Sequence, residues 1–428
     1  DWSSDVCSSD LEEDWKEIEI IGWLYQYYNF EKKSTLDRDL KENGSKKVEK
    51  DDLPAKTQLF TNKWIVKYMV ENSLGKLALE ELGVRESIKE NWKYYIEAES
   101  KGVINNARTE GMKIEDVKLL DPSMGSGHIL VYAFDVLYQI YEELGYSRRE
   151  AVASIINNNL YGMDIDDRAA TLASFALVMK GREYFPRIFS ALDNEEIEIN
   201  TLSIQESNGL ETGLIDSLKA HNLLELIKLI ELFDDAKEYG SILKVEGIDF
   251  EKAKEELKIF EAKEALFYSE EKKLLKTLIK QAKIMSQKYD VTVTNPPYMG
   301  TKGYSDKLKK YVEVNFKDSK ADMFAVFIEK CMQMTKENRY TSMITMPSWM
   351  FLSSFENLRN ILIKSTSISS LLHMGRGIFG IDWGSVAFTL KLTKEDIKGN
   401  YFRLHKRNFQ HIYYEEIGRA SCRERVSS

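Results

Sequence analysis

The tetrapeptide Asn295-Pro296-Pro297-Tyr298 is the part of the chain whose residue types most directly indicate a chemistry. It follows a strand-like run, residues 289–294, so it lies where a strand ends. An amide carbonyl and a proline backbone carbonyl can each accept one N–H of a planar amine, which favours the pyramidal, more nucleophilic nitrogen of a transition state. Prolines stiffen that backbone, and an aromatic ring can stack on a base. The motif predicts methylation of a ring-attached amino group, with a tight turn as the alternative.

A glycine-rich turn upstream is the second feature that indicates chemistry. Residues 117–120 have the pattern of a buried strand, and Asp121-Pro122-Ser123-Met124-Gly125-Ser126-Gly127 leads from them into an apolar helical run, 128–141. Glycines let a backbone approach a ligand closely, and a helix start offers free N–H groups. Neither the dinucleotide glycine spacing nor the Gly-Lys-Ser/Thr of a phosphate loop is present. The turn therefore predicts a ligand without a polyphosphate, such as S-adenosylmethionine, and an ordinary glycine-rich βα turn is the alternative.

Two acids follow the next strand-like run. Residues 160–166 read Leu-Tyr-Gly-Met-Asp-Ile-Asp, about forty residues after the glycine turn, which is the distance that one βαβ unit requires. An acid at the tip of the second strand can accept both hydroxyls of a ribose. Asp164 is predicted to have that role, and Asp166 is predicted to cap a helix over 168–180.

In this order, the three motifs resemble those of the adenine-N6 DNA methyltransferases, and more closely those of the PglX-type methyltransferases of bacteriophage-exclusion (BREX) systems. Residues 22–33 and 58–66 extend the resemblance, which covers most of residues 18–416. It implies an α/β, class I S-adenosylmethionine-dependent methyltransferase fold. Such a fold is Rossmann-like, and here we expect a seven-stranded, mostly parallel sheet with a helical N-terminal region and a helical insertion.

The resemblance also assigns roles to individual residues. The catalytic set is Asn295, Pro296, Pro297 and Tyr298. Phe60 and Thr61 are expected to contact the methionine end of the cofactor, and Asn200 is the candidate that follows a third strand and contacts the adenine. The full cofactor-binding set is Phe60, Thr61, Asp121, Pro122, Gly125, Ser126, Gly127, Asp164 and Asn200. No metal is expected.

The function that the resemblance implies is site-specific methylation of a flipped adenine in double-stranded DNA. The enzyme would be the modification component of a restriction-modification-like phage-defence system, acting with other BREX proteins. Two alternatives remain open at this point. One is a cofactor-binding scaffold whose transfer activity is silent or conditional. The other is methylation of a protein glutamine or an RNA base, because such enzymes use the same tetrapeptide.

The chain divides into several predicted segments. Both ends resemble translated sequencing adapter, and we expect a fragment that lacks a carboxy-terminal recognition region. The predicted segments are 1–11 and 417–428 as adapter, 12–113 as the helical N-terminal region with a cofactor motif, 114–204 as the first half of the sheet, 205–288 as the helical insertion, and 289–416 as the second half with the catalytic motif.

Composition narrows the class of protein. A net charge of −9 argues against a nonspecific nucleic-acid coat and is compatible with a basic cleft on one face. The sequence has no apolar run of membrane-spanning length and no signal peptide. Without the two ends, Cys331 is the one cysteine left, so neither a disulfide nor a CxxC metal site can form within the chain. These features predict a cytoplasmic protein.

Overall fold

The structure is a computed structural model. It describes residues 61–97, 111–210, 212–264, 267–378, 384–395 and 397–405, together with single residues and short runs between 22 and 57. Phe60 and both predicted adapter segments lie outside the described residues.

An eight-stranded, mostly parallel sheet forms the centre of the described molecule. The strands are β1 (Leu119–Asp121), β2 (Leu160–Asp164), β3 (Thr201–Ser203), β4 (Tyr289–Thr294), β5 (Thr335–Thr345), β6 (Ser367–Arg376), β7 (Gly384–Lys391) and β8 (Asn400–Arg403). Their order across the sheet is β3-β2-β1-β4-β5-β7-β6-β8. Only β7 runs antiparallel to its neighbours.

The strand order creates a crevice between β1 and β4. The chain progresses from β1 to β3 on one side, then returns to place β4 on the other side of β1. In an open parallel sheet, such a reversal leaves a crevice outside the carboxyl ends of the strands. The predicted α/β, Rossmann-like fold class is confirmed, with β8 as an additional edge strand beyond the seven that were expected.

Helices cover the sheet. Those before β3 are α1 (Leu53–Thr57), α2 (Lys63–Val70), α3 (Lys76–Glu81), α4 (His128–Glu143), α5 (Arg148–Ser154), α6 (Asp167–Tyr184) and α7 (Ile188–Asp193). Those between β3 and β4 are α8 (Thr212–Ala220), α9 (Leu224–Leu232), α10 (Ala236–Tyr239), α11 (Phe250–Lys263) and α12 (Ser269–Ser286). Those after β4 are α13 (Asp306–Asn315), α14 (Met323–Met334) and α15 (Glu356–Ser365). Shorter helical turns are Glu71–Gly75, Glu86–Asn91, Ile114–Asp116, Ile155–Asn159, Gly240–Ile242, Thr301–Gly303, Pro347–Met350 and Ser353–Phe355. Among the described residues, every helix is too short or too polar to cross a membrane.

The helices between β3 and β4, which we call the helical insertion (residues 205–288), pack directly on the sheet. Leu226 and Leu275 share one buried cluster with Leu120 and Met163 of the strands. The opposite face of the sheet is covered by α2, α4 and α6, whose buried side chains form a second cluster with Leu119. Because both faces are covered by apolar helices, the strands can be buried and nearly continuously apolar.

The structure corrects one strand boundary. Asn200 was expected to follow the third strand, whereas β3 covers Thr201–Ser203, which pair with Gly162–Asp164 of β2. Residues 197–200 therefore lie before the strand rather than in it. The shift matters for function because it moves Asn200 to the amino end of β3.

We predict that Gly162→Ala destabilises the fold. A Cβ at position 162 would lie 2.3 Å from Met124 Sδ and 2.7 Å from Leu130 Cδ1, so a well-packed core would be overfilled. We expect the free energy of unfolding to fall by roughly 1–3 kcal/mol, measured by urea denaturation. Gly213→Ala in α8 is the control, because the site is exposed and a Cβ there would meet only Tyr268 Oη, at 3.4 Å. Equal stabilities of the two variants would contradict the prediction.

Candidate active site

A cleft opens where the carboxyl ends of β1, β2 and β4 meet. Its walls come from the N-terminal helices, both halves of the sheet and the helical insertion. The residues of the three sequence motifs that line it are Pro122, Ser123, Gly125, Asp164, Ile165, Asp166, Asn295 and Pro297. Two motifs predicted to bind a cofactor and one predicted to bind an amine thus share one cleft.

The two glycines of the turn after β1 have different tasks. Gly125 has a φ of 53°, lines the cleft, and would have nothing within 4 Å of a Cβ. Gly127 has a φ of 88°, and a Cβ there would lie 2.9 Å from Ala173 Cβ on α6. Gly127 therefore permits close helix packing, and neither it nor Ser126 belongs to the described lining of the cleft. Their contact with a cofactor stays a prediction.

Asp121 lies beneath the cleft instead of in its wall. Its side chain is fully buried, and Oδ1 accepts hydrogen bonds from Ser123 N at 3.1 Å and Thr294 Oγ1 at 2.7 Å. Burial raises the pKa of the Asp121 carboxyl to about 7. Its Oδ2 has no hydrogen-bond partner among the described residues. Asp121 was predicted to bind the cofactor, but the structure gives it the task of holding the glycine turn to the end of β4.

Asp164 at the tip of β2 does face the cleft. Its Oδ2 accepts from Gly125 N at 2.9 Å and its Oδ1 from Asp166 N at 2.9 Å. A carboxylate oxygen has two lone pairs, so each oxygen retains an acceptor position for a ligand. Burial raises the pKa of Asp164 to about 6. The predicted cap is confirmed: Asp166 Oδ1 accepts from Arg168 N at 2.8 Å at the start of α6.

The Asn295 side chain is held at both ends. Its Nδ2 donates to Thr61 Oγ1 at 3.0 Å, and its Oδ1 lies 2.9 Å from the Tyr298 hydroxyl. That hydroxyl also lies 2.9 Å from the Ile344 carbonyl oxygen, and its single proton serves one of the two acceptors at a time. Thr61, expected to contact the cofactor, is buried and positions the Asn295 amide. These contacts fix the direction of the Asn295 carbonyl.

The glycine turn and the catalytic tetrapeptide are joined directly. Ser123 Oγ lies 2.7 Å from Thr294 Oγ1 and 3.1 Å from the backbone carbonyl of Asn295. Pro296 is buried and Pro297 lines the cleft. A displacement of the turn after β1 is therefore transmitted to the start of the tetrapeptide.

The prediction for Asn200 is wrong. Its Nδ2 donates to the carbonyls of Ile156 and Asn157 at 3.2 and 2.7 Å, and both residues precede β2. Asn200 therefore lies at the amino ends of the strands, opposite the cleft. Ile204 is the residue after β3 that lines the cleft. The sequence pattern could not decide this, because residues 197–203 alternate in a way that fits either strand boundary.

Several cleft residues have no recognisable motif. Lys237, Glu238, Tyr239, Gly240 and Ser241 of the helical insertion form part of the wall. Nothing in their local sequence distinguishes them from other polar helical residues, so only the fold reveals their position.

Two apolar residues of α14 also line the cleft. Met323 and Phe327 are spaced i, i+4 on that helix. The helical period predicts that they share a face, but not that the face closes a cleft.

The sequence matches the family described as the Eco57I restriction-modification methylase over residues 158–379. Two curated relatives match over most of the chain. The adenine-specific methyltransferase BrxX of Escherichia coli O9:H4 (strain HS) is 35% identical, covering 96% of this chain and 36% of the relative. The adenine-specific methyltransferase PglX of Lacticaseibacillus casei (strain Zhang) is 38% identical, covering 91% of this chain and 33% of the relative. The chain thus spans about a third of the length of these relatives.

A more distant likeness is to a solved structure. The protein in the cryoEM structure of the DrdV–DNA complex is 13% identical, with a TM-score of 0.46, and the match covers 81% of this chain and 28% of that chain.

We predict that Asp121 makes the stability of this region depend on pH. The pKa of the folded carboxyl is raised to about 7, whereas an unfolded aspartate has a pKa of about 3.9. The contribution of Asp121 to the free energy of unfolding is therefore largest below about pH 4, and it falls as the pH rises towards 7. Relative to wild type, Asp121→Asn should gain about 1.4 kcal/mol of unfolding free energy per pH unit across that window.

Urea denaturation of both proteins between pH 4.5 and 8 measures this difference. Asp193→Asn, an exposed site at the end of α7, is the control for the substitution itself. A difference between wild type and Asp121→Asn that stays constant with pH would refute the prediction.

Proposed function

We propose that this chain, which belongs to the Eco57I restriction-modification methylase family, carries the transfer site of a DNA adenine-N6 methyltransferase that uses S-adenosylmethionine. The proposal rests on one observation: Asp164, Gly125 and Asn295 line the same cleft. Both curated relatives bear the name adenine-specific methyltransferase. The match to them covers most of this chain, which includes all three motifs.

The chain's own residues fit the cofactor. A Cβ at Gly125 would meet open space, and Asp164 retains acceptor positions suited to ribose hydroxyls. Met323 and Phe327 add apolar surface to the same cleft. When bound, S-adenosylmethionine supplies an electrophilic methyl group on a sulfonium. The protein contributes the orientation of that group relative to Asn295.

The tetrapeptide acts on the target amine through acceptors rather than through a covalent nucleophile. The Asn295 carbonyl and a proline backbone carbonyl accept the two N–H groups, so the nitrogen lone pair is freed from the ring. Tyr298 and Thr61 hold the Asn295 amide in place. A base in a duplex reaches such a cleft only after extrusion, and the resemblance assigns the Tyr298 ring to stack on that base.

The transfer requires no strong general base. The methylated nitrogen is cationic and releases its proton to water. His128, which begins α4, is a poor candidate for a base because burial lowers the pKa of its imidazole to about 4. We assign it a packing role at the start of the helix.

The proposal extends to the parent protein. The chain spans about a third of the relatives' length. The activity, the target sequence and the partners of the whole protein are therefore proposals. We propose that the parent methylates one DNA sequence in the cytoplasm, together with other proteins of a BREX-type phage-defence system.

We predict that Asn295→Ala abolishes detectable adenine methylation. Removal of the carbonyl acceptor should lower the transfer rate by roughly 10²–10³-fold, as loss of one preorganised hydrogen-bond partner does. The measurement is single-molecule sequencing for N6-methyladenine in DNA from cells that express the parent gene with its neighbours. Asn357→Ala, an exposed site on α15 outside the cleft, is the matched control and should retain methylation.

Each outcome of the sequencing has a definite meaning. One sequence motif, methylated in wild type and in the control but not in Asn295→Ala, supports the proposed enzyme. Absence of methylation in wild type overturns it. Cofactor binding would then separate a scaffold from an enzyme that acts on protein or RNA.

A further inference from the structure

The segment Ala236–Ile242 of the helical insertion is seated against the tip of β2. Gly240 has φ 61° and ψ −149°, a conformation accessible essentially only to glycine. A Cβ at this position would lie 3.1 Å from Ile165 Cγ2. On its other side the segment reaches α14, where Lys330 Nζ donates to the Leu243 carbonyl at 3.0 Å. Only a glycine at position 240 allows the backbone to approach the tip of β2 this closely.

Two contacts fix this segment relative to the residues after the catalytic motif. The Ser305 hydroxyl donates to the Glu238 carboxylate, and the rings of Tyr239 and Tyr311 have centroids 4.5 Å apart. The segment thus has a defined position in the cleft wall, and the direction of its side chains is part of the fold.

Ser241 within this segment carries an unused hydrogen-bonding group. The residue is 3% exposed and lines the cleft. The Ser241 hydroxyl makes no hydrogen bond to any described residue, and it is not one of the buried side-chain atoms that are closed off without a partner. A ligand in the cleft can therefore reach it.

The surroundings of Ser241 suit a flat aromatic ring. Ile165, Ile204 and Phe327 line the same cleft with apolar surface. The polar group expected after the third strand is absent from this place, because Asn200 lies at the opposite edge and Ile204 replaces it. Gln205, the next residue, is engaged with Ser203, Asp167 and Gln281. Lys237 is paired with Asp167, and Glu238 accepts from Ser305. Ser241 is a polar side chain of the same wall whose hydroxyl is available to face the ring edge.

We propose that Ser241 recognises the amino-bearing edge of the cofactor's adenine, so that the helical insertion completes the cofactor site. This inference rests on the proposed function, which makes S-adenosylmethionine the ligand. Asp164 holds the ribose end, and Ser241, next to Ile165, holds the edge of the ring that is distant from the ribose. Recognition of the 6-amino group then resides in the insertion rather than at the sheet edge.

Calorimetric titration of the full chain with S-adenosylhomocysteine and with its 6-deamino analogue tests the proposal. The second ligand carries a hydrogen in place of the 6-amino group, so it offers the Ser241 hydroxyl no partner at that position. Wild type should bind the adenosyl compound at least tenfold more tightly. Ser241→Ala should lose roughly 5–30-fold in affinity for it, and the preference between the two ligands should shrink. A merely structural role would weaken both ligands equally.

Two further variants complete the design. Ser217→Ala is the matched control, because that serine belongs to the same insertion and bonds Glu264 at 2.8 Å away from the cleft, so its affinities should equal those of wild type. Asp164→Ala should weaken both ligands.

The possible failures are distinguishable. If wild type binds S-adenosylhomocysteine but shows no preference over the 6-deamino analogue, or if Ser241→Ala keeps the wild-type preference, the role of Ser241 is overturned while the proposed function stands. If wild type binds neither ligand, the cofactor assignment itself fails. If Ser241→Ala does not fold, the preference of the wild-type protein between the two ligands still tests the inference.

Discussion

The hydrogen bond from the Thr294 hydroxyl to the buried Asp121 carboxylate joins the two halves of the cleft. Asp121 ends β1 and Thr294 ends β4, and these neighbouring strands lie at the point where the strand order reverses. The glycine turn begins directly after the first residue and the catalytic tetrapeptide directly after the second. The positions of both motifs therefore depend on this one pairing. Because the carboxylate is fully buried, a change in its partners has a large electrostatic effect.

The contacts around Ser123 show how binding and chemistry share a structure. Its hydroxyl lies within hydrogen-bond distance of both Thr294 and the Asn295 carbonyl, while the neighbouring Gly125 N–H donates to Asp164. Two short polar contacts thus connect Asp164 through the glycine turn to the Asn295 backbone: Gly125 N to Asp164, and Ser123 Oγ to the Asn295 carbonyl oxygen. Such preorganisation places the reacting groups before the substrate arrives, which is the main source of rate enhancement when no covalent nucleophile takes part.

The sequence predicts the parts of the site in which chemistry limits the choice of residue. A tetrapeptide with two prolines, a glycine turn and an acid at a strand end can be recognised locally, and the structure brings representatives of all three into one cleft. The α/β fold follows from the alternation of strand and helix patterns. Asn200 was misplaced because the start of β3 is decided by its pairing with β2, which no local pattern contains. The contribution of Ser241 could not be predicted, since a serine in a polar helical segment carries no signal until the chain has folded.

The separation of the two central strands along the chain has a consequence for synthesis. Thr294 is 173 residues beyond Asp121, and a ribosome adds about 5–20 residues per second. The β1 strand therefore waits roughly 10–35 s for its neighbour to be made. During that interval the β4-facing side of the half-sheet is an open edge and the Asp121 carboxyl lacks the Thr294 hydroxyl. The helices of the insertion are synthesised in the meantime and can cover the apolar surface of β1 and β2 before β4 arrives. Their length thus sets the duration for which the nascent chain exposes an unpaired strand at its centre.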